Sequence, residues 1–187
     1  MNRTCVRAVT VSTNHDKEHT MLDPKIEKAL NNQINHELAS AYKYLAMAAH
    51  FERQNLSGMA HWMFQQREEE HEHAMRLVRY VLDRGGRVEL AAIEKPGADS
   101  GTILKVFEEA LEMEQENTRA INDLYGLAIE VKDYATQSNL KWFLDEQVEE
   151  EKLMDEVVAL VKLVGDDKSA LLVLNRQLAD RQPDGKE

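Results

Sequence analysis

Residues 63–77, MFQQREEEHEHAMRL, contain the pattern from which the fold can be predicted. Met63 and Leu77 lie seven residues before and after Glu70, a spacing that keeps side chains on one face of a helix. Three successive helical residues sweep about 200° around the axis, so one member of the acidic run at 68–70 must approach the apolar face. The pattern predicts an amphipathic helix whose buried stripe is interrupted at its middle by Glu70.

The same interruption recurs in three further segments. In each segment a glutamate lies seven residues from an apolar or aromatic residue on both sides. The four interrupted stripes are centred on Glu37, Glu70, Glu114 and Glu150. Because residues at the middle of a helix meet at one level whether the helix runs up or down, we expect these carboxylates to converge. The sequence therefore predicts an all-α fold, an up-down four-helix bundle with four glutamates facing its core.

Turn and cap residues divide the chain into five predicted helices. They run from Pro24 to about Arg53, from an N-cap at Ser57 to Gly85-Gly86, from about Gly101 to Val131, from a cap at Asp133 to the residue before Gly165, and from Lys168 to about Asp180. The first two and the third and fourth are joined by short turns, whereas residues 87–100 form a long connection. Long loops in compact domains need a reason, and we predict a crossover that spans the bundle.

The chain is expected to form one domain over residues 21–181, with a C-terminal tail at 182–187. Residues 1–20 are polar, contain Arg3 and Arg7, and have no acid before Asp16, which predicts a flexible N-terminal extension. An organellar transit peptide and a true start at Met21 are the alternatives for this segment.

Four carboxylates at one level of a core need compensation, because burying even one unpaired charge costs several kcal/mol. Arg67 is the one basic residue near the middle of the stripes, so metal ions are the natural counter-charge. His73 lies three residues after Glu70 and shares its helix face. Gln147 has the same spacing before Glu150. A carboxylate-rich site with a single imidazole suits iron or manganese better than zinc or copper.

Composition excludes several other classes of function. No apolar run approaches the roughly 18 residues that a membrane-spanning helix needs. A net charge of −11 argues against nucleic acid as the main partner. Cys5 is the only cysteine, which rules out an intrachain disulfide and a Cys-rich zinc or iron–sulfur site.

Three motifs carry a resemblance to a known family. They are Asn35-His36-Glu37-Leu38, Glu69-Glu70-His71-Glu72-His73 and the run EQVEEEKL at residues 146–153. In order and spacing they are similar to the motifs of bacterial non-haem ferritins, members of the ferritin-like di-iron superfamily, and the similarity extends from Met21 to Asp180. The resemblance implies a ferroxidase that oxidises Fe(II) to Fe(III) with O₂ or H₂O₂ and stores the iron.

The resemblance also implies roles for the candidate residues. Glu37, Glu70 and His73 would hold one iron, and Glu70, Glu114 and Glu150 the second, with Gln147 beside the pair. A third, nearby iron site would come from Glu69, Glu146, Glu149 and Glu150. Family members assemble as 24-subunit cages with the fifth helix around the four-fold axis. Such a cage of 21.5 kDa chains has a mass of roughly 500 kDa.

No haem is expected. Haem-binding bacterioferritins carry a second Glu-x-x-His on the fourth helix, whereas Leu153 takes the histidine's place after Glu150 here. They hold haem with a methionine directly after the second-helix glutamate, and this chain has His71 there. One cysteine also cannot build the rubredoxin-type iron centre of rubrerythrins.

The sequence is also compatible with two other kinds of protein. One is a non-storage di-metal bundle, such as a manganese catalase or small oxidase, and the other is a metal-free structural bundle with protonated glutamates. The apolar run ALLVL at residues 170–174, beyond a complete bundle, favours assembly over the first of these. Tyr44 lies two turns from Glu37 on the core side, either as an electron donor or as a plain core aromatic. We predict a cytoplasmic homo-oligomer without a nucleic-acid or membrane partner.

Overall fold

The structure is a computed structural model and describes residues 22–97 and 101–180. Within these residues it consists of five α-helices and no strand. The helices are α1 Pro24–Arg53, α2 Ser57–Asp83, α3 Ile103–Glu130, α4 Tyr134–Val164 and α5 Lys168–Ala179. The predicted all-α fold, with four long helices and a short fifth, is confirmed. The predicted extension at 1–20 and tail at 182–187 lie outside the described residues.

Side-chain caps set most of the helix starts. Asp23 accepts a hydrogen bond from the amide of Lys25 at 2.8 Å, and Asp133 accepts one from the amide of Thr136 at 3.1 Å. The predicted cap at Asp133 is therefore confirmed. α3 is capped by Thr102 and α5 by Asp167, whose oxygens accept from amides of the first helical turn.

The prediction that Ser57 caps α2 is wrong. Leu56 occupies the N-cap position without a side-chain cap, and Ser57 is the first helical residue. The reason lies in tertiary structure, because Leu56 is buried and α5 supplies the missing acceptor. Asn175 of α5 accepts a hydrogen bond from the amide of Met59 at 3.0 Å. The acceptor for an amide of the first turn of α2 therefore comes from α5 and not from the neighbouring serine.

Two apolar clusters show how the helices run. The first apolar cluster contains the end of α1, the start of α2, the start of α3 and the end of α4, with Phe51, Trp62, Phe107 and Met154 among its members. The second apolar cluster contains the opposite ends, with Ile26, Leu77, Ile121 and Phe143. α1 and α2 are therefore antiparallel, as are α3 and α4, and the connection after α2 must travel the length of the bundle. The predicted crossover is confirmed.

Two asparagines on α1 hold the described part of this crossover. Asn31 donates to the carbonyl oxygen of Arg87 at 2.8 Å and accepts from the amide of Glu89 at 2.6 Å. Asn35 repeats both contacts one step along, with residues 89 and 91. Because these residues are one helical turn apart on α1, they satisfy alternate backbone groups of an extended segment that has no strand partner.

The fifth helix packs on α2 and α4 at the end of the bundle that holds the first apolar cluster. Leu174 and Leu178 are buried there, while Leu172 and Val173 are exposed. The backbone of α5 approaches α2 so closely that a Cβ atom at Gly58 would lie 1.6 Å from the carbonyl oxygen of Asn175. A side chain at this position would therefore force α5 away from α2. Among the described residues, no helix combines the length and apolar character of a membrane span.

Candidate metal centre

A polar layer separates the two apolar clusters. We use this name for nine buried side chains that lie between them: Gln33, Glu37, Gln66, Glu70, His73, Glu114, Asn117, Gln147 and Glu150. All nine are at most 4% exposed. Each long helix contributes at least two of them. The prediction that the four stripe glutamates face the core is confirmed.

The charge of this layer is not balanced by buried basic residues. In residues 22–97 and 101–180, no lysine or arginine is buried. Arg67, which the sequence pattern placed on the stripe of α2, is half-exposed instead and pairs with Glu68 at the surface. Gln66 occupies the buried position in its place, fully enclosed. Four carboxylates therefore lie together in a region where only protonation or bound cations can offset their charge.

Glu37, Glu70 and His73 form the tightest group. One ligand atom from each lies within 4.8 Å of the other two. Glu70 Oε2 and His73 Nδ1 are buried and have no hydrogen-bond partner among the described residues. Buried polar atoms are almost always paired, so two unpaired atoms on residues of this group suit a ligand that is not part of the chain. Two carboxylates and one imidazole form a donor set that fits iron or manganese.

Glu114 and Glu150 approach the layer from α3 and α4. The hydroxyl of Tyr44 donates a short hydrogen bond to Glu114 Oε1. Gln147 Nε2 donates to the carbonyl oxygen of Glu114 and to Thr118 Oγ1, both at 3.2 Å. Gln66 Nε2 donates to Glu150 Oε2 at 3.0 Å. These carboxylates are thus fixed by neutral donors, which orient an oxygen without neutralising its charge.

Burial and mutual repulsion shift the protonation of the layer. Burial, reinforced by the charges of Glu114 and Glu37, raises the pKa of Glu70 well above its usual range. Burial and the nearby Glu150 raise the pKa of Glu114 to about 8, although the Tyr44 hydrogen bond acts in the opposite direction. Burial and the charge of Glu114 also raise the pKa of the Tyr44 phenol. Without metal, the layer holds protons at neutral pH that divalent cations would displace.

Aromatic packing orients the imidazole. The His73 ring makes edge-on contacts with Trp142, at a centroid distance of 5.3 Å, and with Phe143, at 6.0 Å. The guanidinium of Arg76 lies over the Trp142 ring, 4.2 Å from its centroid. This packing restricts the orientation of the His73 ring, and His73 also lines a cavity together with other residues of α2 and α4.

The residues expected to form a third iron site lie around that cavity only in part. Glu69 and Glu146 line it together with His73, Glu72 and Trp142, and its volume is about 450 Å³. Glu149 is exposed and is not among the lining residues, while Glu150 belongs to the polar layer. The structure therefore brings two of the four predicted residues to one cavity next to the centre.

Sequence reasoning missed Gln33, Gln66 and Asn117. Gln33 Nε2 donates to Glu37 Oε1 at 2.8 Å, and Asn117 Nδ2 donates to Glu37 Oε2 at 3.2 Å. The available sign was that each lies three or four residues from a stripe glutamate on its own helix, and hence on the same face. Amide side chains are ordinary on helix surfaces, so that spacing alone did not distinguish them.

Four helices that surround a core of carboxylates with one Glu-x-x-His define a class, the carboxylate-rich metal-binding helical bundle. The comparisons with known proteins narrow this class. The sequence profile of the ferritin-like domain matches residues 27–164. The chain is 40% identical over 161 residues to a bacterial non-heme ferritin of Staphylococcus aureus, covering 86% of this chain and 97% of the relative. With the bacterial non-heme ferritin of Staphylococcus saprophyticus it shares 40% identity over 167 residues, 89% of this chain and 100% of the relative.

The similar solved structures are also ferritins. The open-pore ferritin of the hyperthermophilic archaeon Archaeoglobus fulgidus superposes with a TM-score of 0.85 at 42% identity, over 87% of this chain and 99% of that one. An engineered closed form of the same archaeal ferritin gives a TM-score of 0.84 at 42% identity, over 86% and 98% of the two chains. The chain belongs to the ferritin family.

Proposed function

We propose that this protein oxidises Fe(II) at a two-iron centre in the polar layer and stores the Fe(III) as mineral inside a 24-subunit cage. The observation that carries the proposal is the group of four buried glutamates and one imidazole, with no buried lysine or arginine among the described residues. Membership of the ferritin family supports iron storage and ferroxidase activity in general. We further propose a cytoplasmic location, by analogy with the bacterial relatives.

In the proposed arrangement, iron is the substrate and each glutamate has a distinct part. Glu37, Glu70 and His73 hold one Fe(II), and Glu70, Glu114 and Glu150 hold the second. Glu70 would bridge the two ions, a role supported by its Oε2 atom, which has no hydrogen-bond partner among the described residues, and by its electrostatic interactions with the other three acids. Gln147 lies beside the pair, and its hydrogen bonds to α3 keep Glu114 in place.

The chemistry is a transfer of electrons from the substrate irons to an oxidant. Two Fe(II) ions supply two electrons, which reduce O₂ to H₂O₂ or H₂O₂ to water with the uptake of two protons. The carboxylates favour the products, because their negative charge stabilises Fe(III) more than Fe(II). Tyr44 is the candidate for a further electron. Oxidation of its phenol would release a proton toward Glu114, the acceptor of its hydrogen bond.

The product iron must leave the layer before another pair can bind. We propose that Glu69, Glu146 and Glu149 form a third iron site with Glu150 on the way out, because the first two line the cavity that His73 also contacts. Storage then requires a closed shell. α5, which exposes Leu172 and Val173 at one end of the bundle, supplies the apolar surface for the four-fold contacts of a 24-subunit cage.

The test is an aerobic Fe(II) titration of metal-free protein, with Fe(III) absorbance and particle mass followed in the same sample. We expect rapid oxidation, at least two Fe(II) per chain in the first phase, and a particle of roughly 500 kDa. Glu70→Ala and His73→Ala should slow oxidation on the order of 100-fold, since removing a ligand costs at least as much as removing its outer-shell partners.

The chain offers matched controls beside each variant. Glu72→Ala and His71→Ala remove the same side chains from exposed positions one and two residues away. They should leave the first phase of oxidation, before product iron has to leave the centre, at the wild-type rate. Wild-type rates in Glu70→Ala and His73→Ala would refute the site, and a dimer or hexamer in place of a cage would favour a non-storage di-metal oxidase. Protein that carries no metal after growth in iron-rich medium would favour a metal-free bundle.

A further inference from the structure

Beside the proposed ligands and Gln147, the polar layer contains three side chains to which the oxidation chemistry gives no role: Gln33, Gln66 and Asn117. Gln33 on α1 and Asn117 on α3 are 3% and 2% exposed. Neither is acidic, and neither belongs to the proposed ligand set. Burying an amide side chain inside a bundle costs free energy unless each of its polar atoms is paired. The presence of these two amides therefore needs an explanation.

All four donor hydrogens of the two amides are used. Gln33 Nε2 donates to Glu37 Oε1 at 2.8 Å and to Asn117 Oδ1 at 2.5 Å. Asn117 Nδ2 donates to Glu37 Oε2 at 3.2 Å and to Gln147 Oε1 at 3.4 Å. Because Asn117 accepts from one glutamine and donates to the other, rotating its amide by 180° would lose three contacts. The network therefore holds each amide in one orientation.

The result is a continuous chain of amides from one side of the layer to the other. It begins at Gln33, passes through Asn117 to Gln147, and ends on the backbone and carboxylate of Glu114. Glu37 accepts one amide donor on each oxygen, and these two bonds fix the plane of its carboxylate. In contrast, Glu70 Oε2 and His73 Nδ1 have no such partners among the described residues.

We propose that Gln33 and Asn117 are positioning residues that hold the Glu37 carboxylate for the first metal ion, while Gln66 does the same for Glu150 at the second. The inference rests on the proposed two-metal site and adds that separate amides position the ligands of the two ions. Outer-shell partners of ligands set the orientation and basicity of those ligands. Removing the donors of Glu37 should therefore lower the affinity for the first ion more than the affinity for the second.

The experiment measures Zn²⁺ binding, because Zn²⁺ is redox-inert and its occupancy can be located separately at each site. Full-length metal-free protein is titrated by calorimetry, and crystals at limiting Zn²⁺ are measured by anomalous diffraction. The variants are Asn117→Leu and Gln33→Met, which keep side-chain size and remove the donors. Gln66→Met does the same for Glu150, and Gln115→Leu, at an exposed position on α3, is the control.

We expect Gln33→Met to lower Zn²⁺ affinity at the Glu37 site by about 10- to 100-fold and to leave the Glu150 site within a factor of about three. Asn117→Leu should weaken the Glu37 site by the same factor and the Glu150 site by less, because it also removes the hydrogen bond to Gln147. Gln66→Met should show the reverse pattern, and Gln115→Leu no change. A general structural defect would weaken both sites together, so the selectivity is the decisive readout. If Asn117→Leu fails to fold, Gln33→Met alone decides, since it removes the shorter bond to Glu37.

The failures of the two proposals are distinguishable. Wild-type protein that binds no Zn²⁺ in the polar layer overturns the two-metal site itself. Wild-type protein that binds two ions, together with variants that bind both equally well or lose both equally, overturns only the positioning role of the amides.

Discussion

The two apolar clusters and the polar layer between them lie on the same four helices, but they contribute to stability in opposite ways. In the first apolar cluster, Phe107 stacks on Phe51 at 5.5 Å and contacts Trp62 edge-on at 5.6 Å. All three side chains are at most 1% exposed. In the polar layer, four equally buried carboxylates repel one another.

The free energy of folding is therefore favourable in the apolar clusters and unfavourable in the polar layer. Burial of apolar area stabilises the fold at both ends, at roughly 25 cal/mol per Å² removed from water. Burial of like charges in the middle opposes folding, and that penalty is relieved when cations enter. Burial of apolar area at the two ends therefore offsets the unfavourable burial of charge in the centre.

Phe107→Ala should lower the free energy of unfolding by about 3–5 kcal/mol, as expected for removing a buried aromatic ring from a packed core. The loss should be the same with and without Zn²⁺, because the ring belongs to the first apolar cluster and not to the polar layer. Urea unfolding of metal-free and Zn²⁺-loaded protein measures it. A loss that appears only in one of the two states would mean that the regions are not independent.

The metal-free protein should become less stable as the pH rises from about 5.5 to about 8.5. The folded-state pKa values of Glu70 and Glu114 are raised, that of Glu114 from 4.5 to about 8. The folded protein therefore holds protons that the unfolded chain has already released, and its stability falls through this window. The slope is at most about 1.4 kcal/mol per pH unit for each group. Saturating Zn²⁺ should flatten or reverse it, since metal replaces the protons.

Urea unfolding at several pH values checks this, and Phe107→Ala serves as the control because it should shift every value without changing the slope. Stability of the metal-free protein that is constant or rises with pH would show that the carboxylates are ionised and compensated in some other way.

Glu70→Met should stabilise the metal-free protein by about 1–3 kcal/mol near pH 8 while it abolishes rapid iron oxidation. Methionine has a similar length and carries no charge, and one of the two Glu70 oxygens, Oε2, has no hydrogen-bond partner among the described residues. Thermal unfolding and the Fe(II) oxidation rate of the same preparation give both results. Glu72→Met, at an exposed position two residues away, should change neither. Lower stability in Glu70→Met would mean that the carboxylate supports the fold.

The apolar clusters could be predicted from the sequence more fully than the polar layer. Ile26, Leu30 and Ile34 repeat at helical spacing and are buried as the pattern indicates, and so are Leu140 and Phe143. The stripe glutamates were found by the same rule, because a charge in an apolar repeat is conspicuous. Helix periodicity assigns each residue to a face of its helix. That information was sufficient to predict the four-helix bundle and the burial of the four glutamates.

Periodicity could not decide between neighbouring positions at the edge of a face. Positions three and four residues from a core residue both border the stripe, and the rotation of the helix in the bundle selects one of them. On α2 it buries Gln66 and leaves Arg67 half-exposed, contrary to the sequence pattern. Gln33 and Asn117 were missed for the same reason. Their role depends on contacts between helices, which no single segment contains.

The contact between α5 and α2 gives the smallest predicted effect. Gly58→Ala places a Cβ atom 1.6 Å from the carbonyl oxygen of Asn175, so α5 must move and the hydrogen bond from Met59 to Asn175 must lengthen. We expect a loss of about 1–2 kcal/mol, typical of overpacking, confined to this end of the bundle. Amide hydrogen exchange should increase in α5, while Zn²⁺ affinity in the polar layer stays at the wild-type value.

Gly126→Ala is the matched control, because its new Cβ atom meets nothing within 4 Å and the residue is exposed within α3. It should leave exchange in α5 unchanged and raise stability by up to about 1 kcal/mol through the higher helix propensity of alanine. If Gly58→Ala also weakened Zn²⁺ binding, the end of the bundle that carries α5 would be coupled to the metal centre. The first apolar cluster would then transmit strain along the helices to the polar layer, and the independence of the two regions would have to be abandoned.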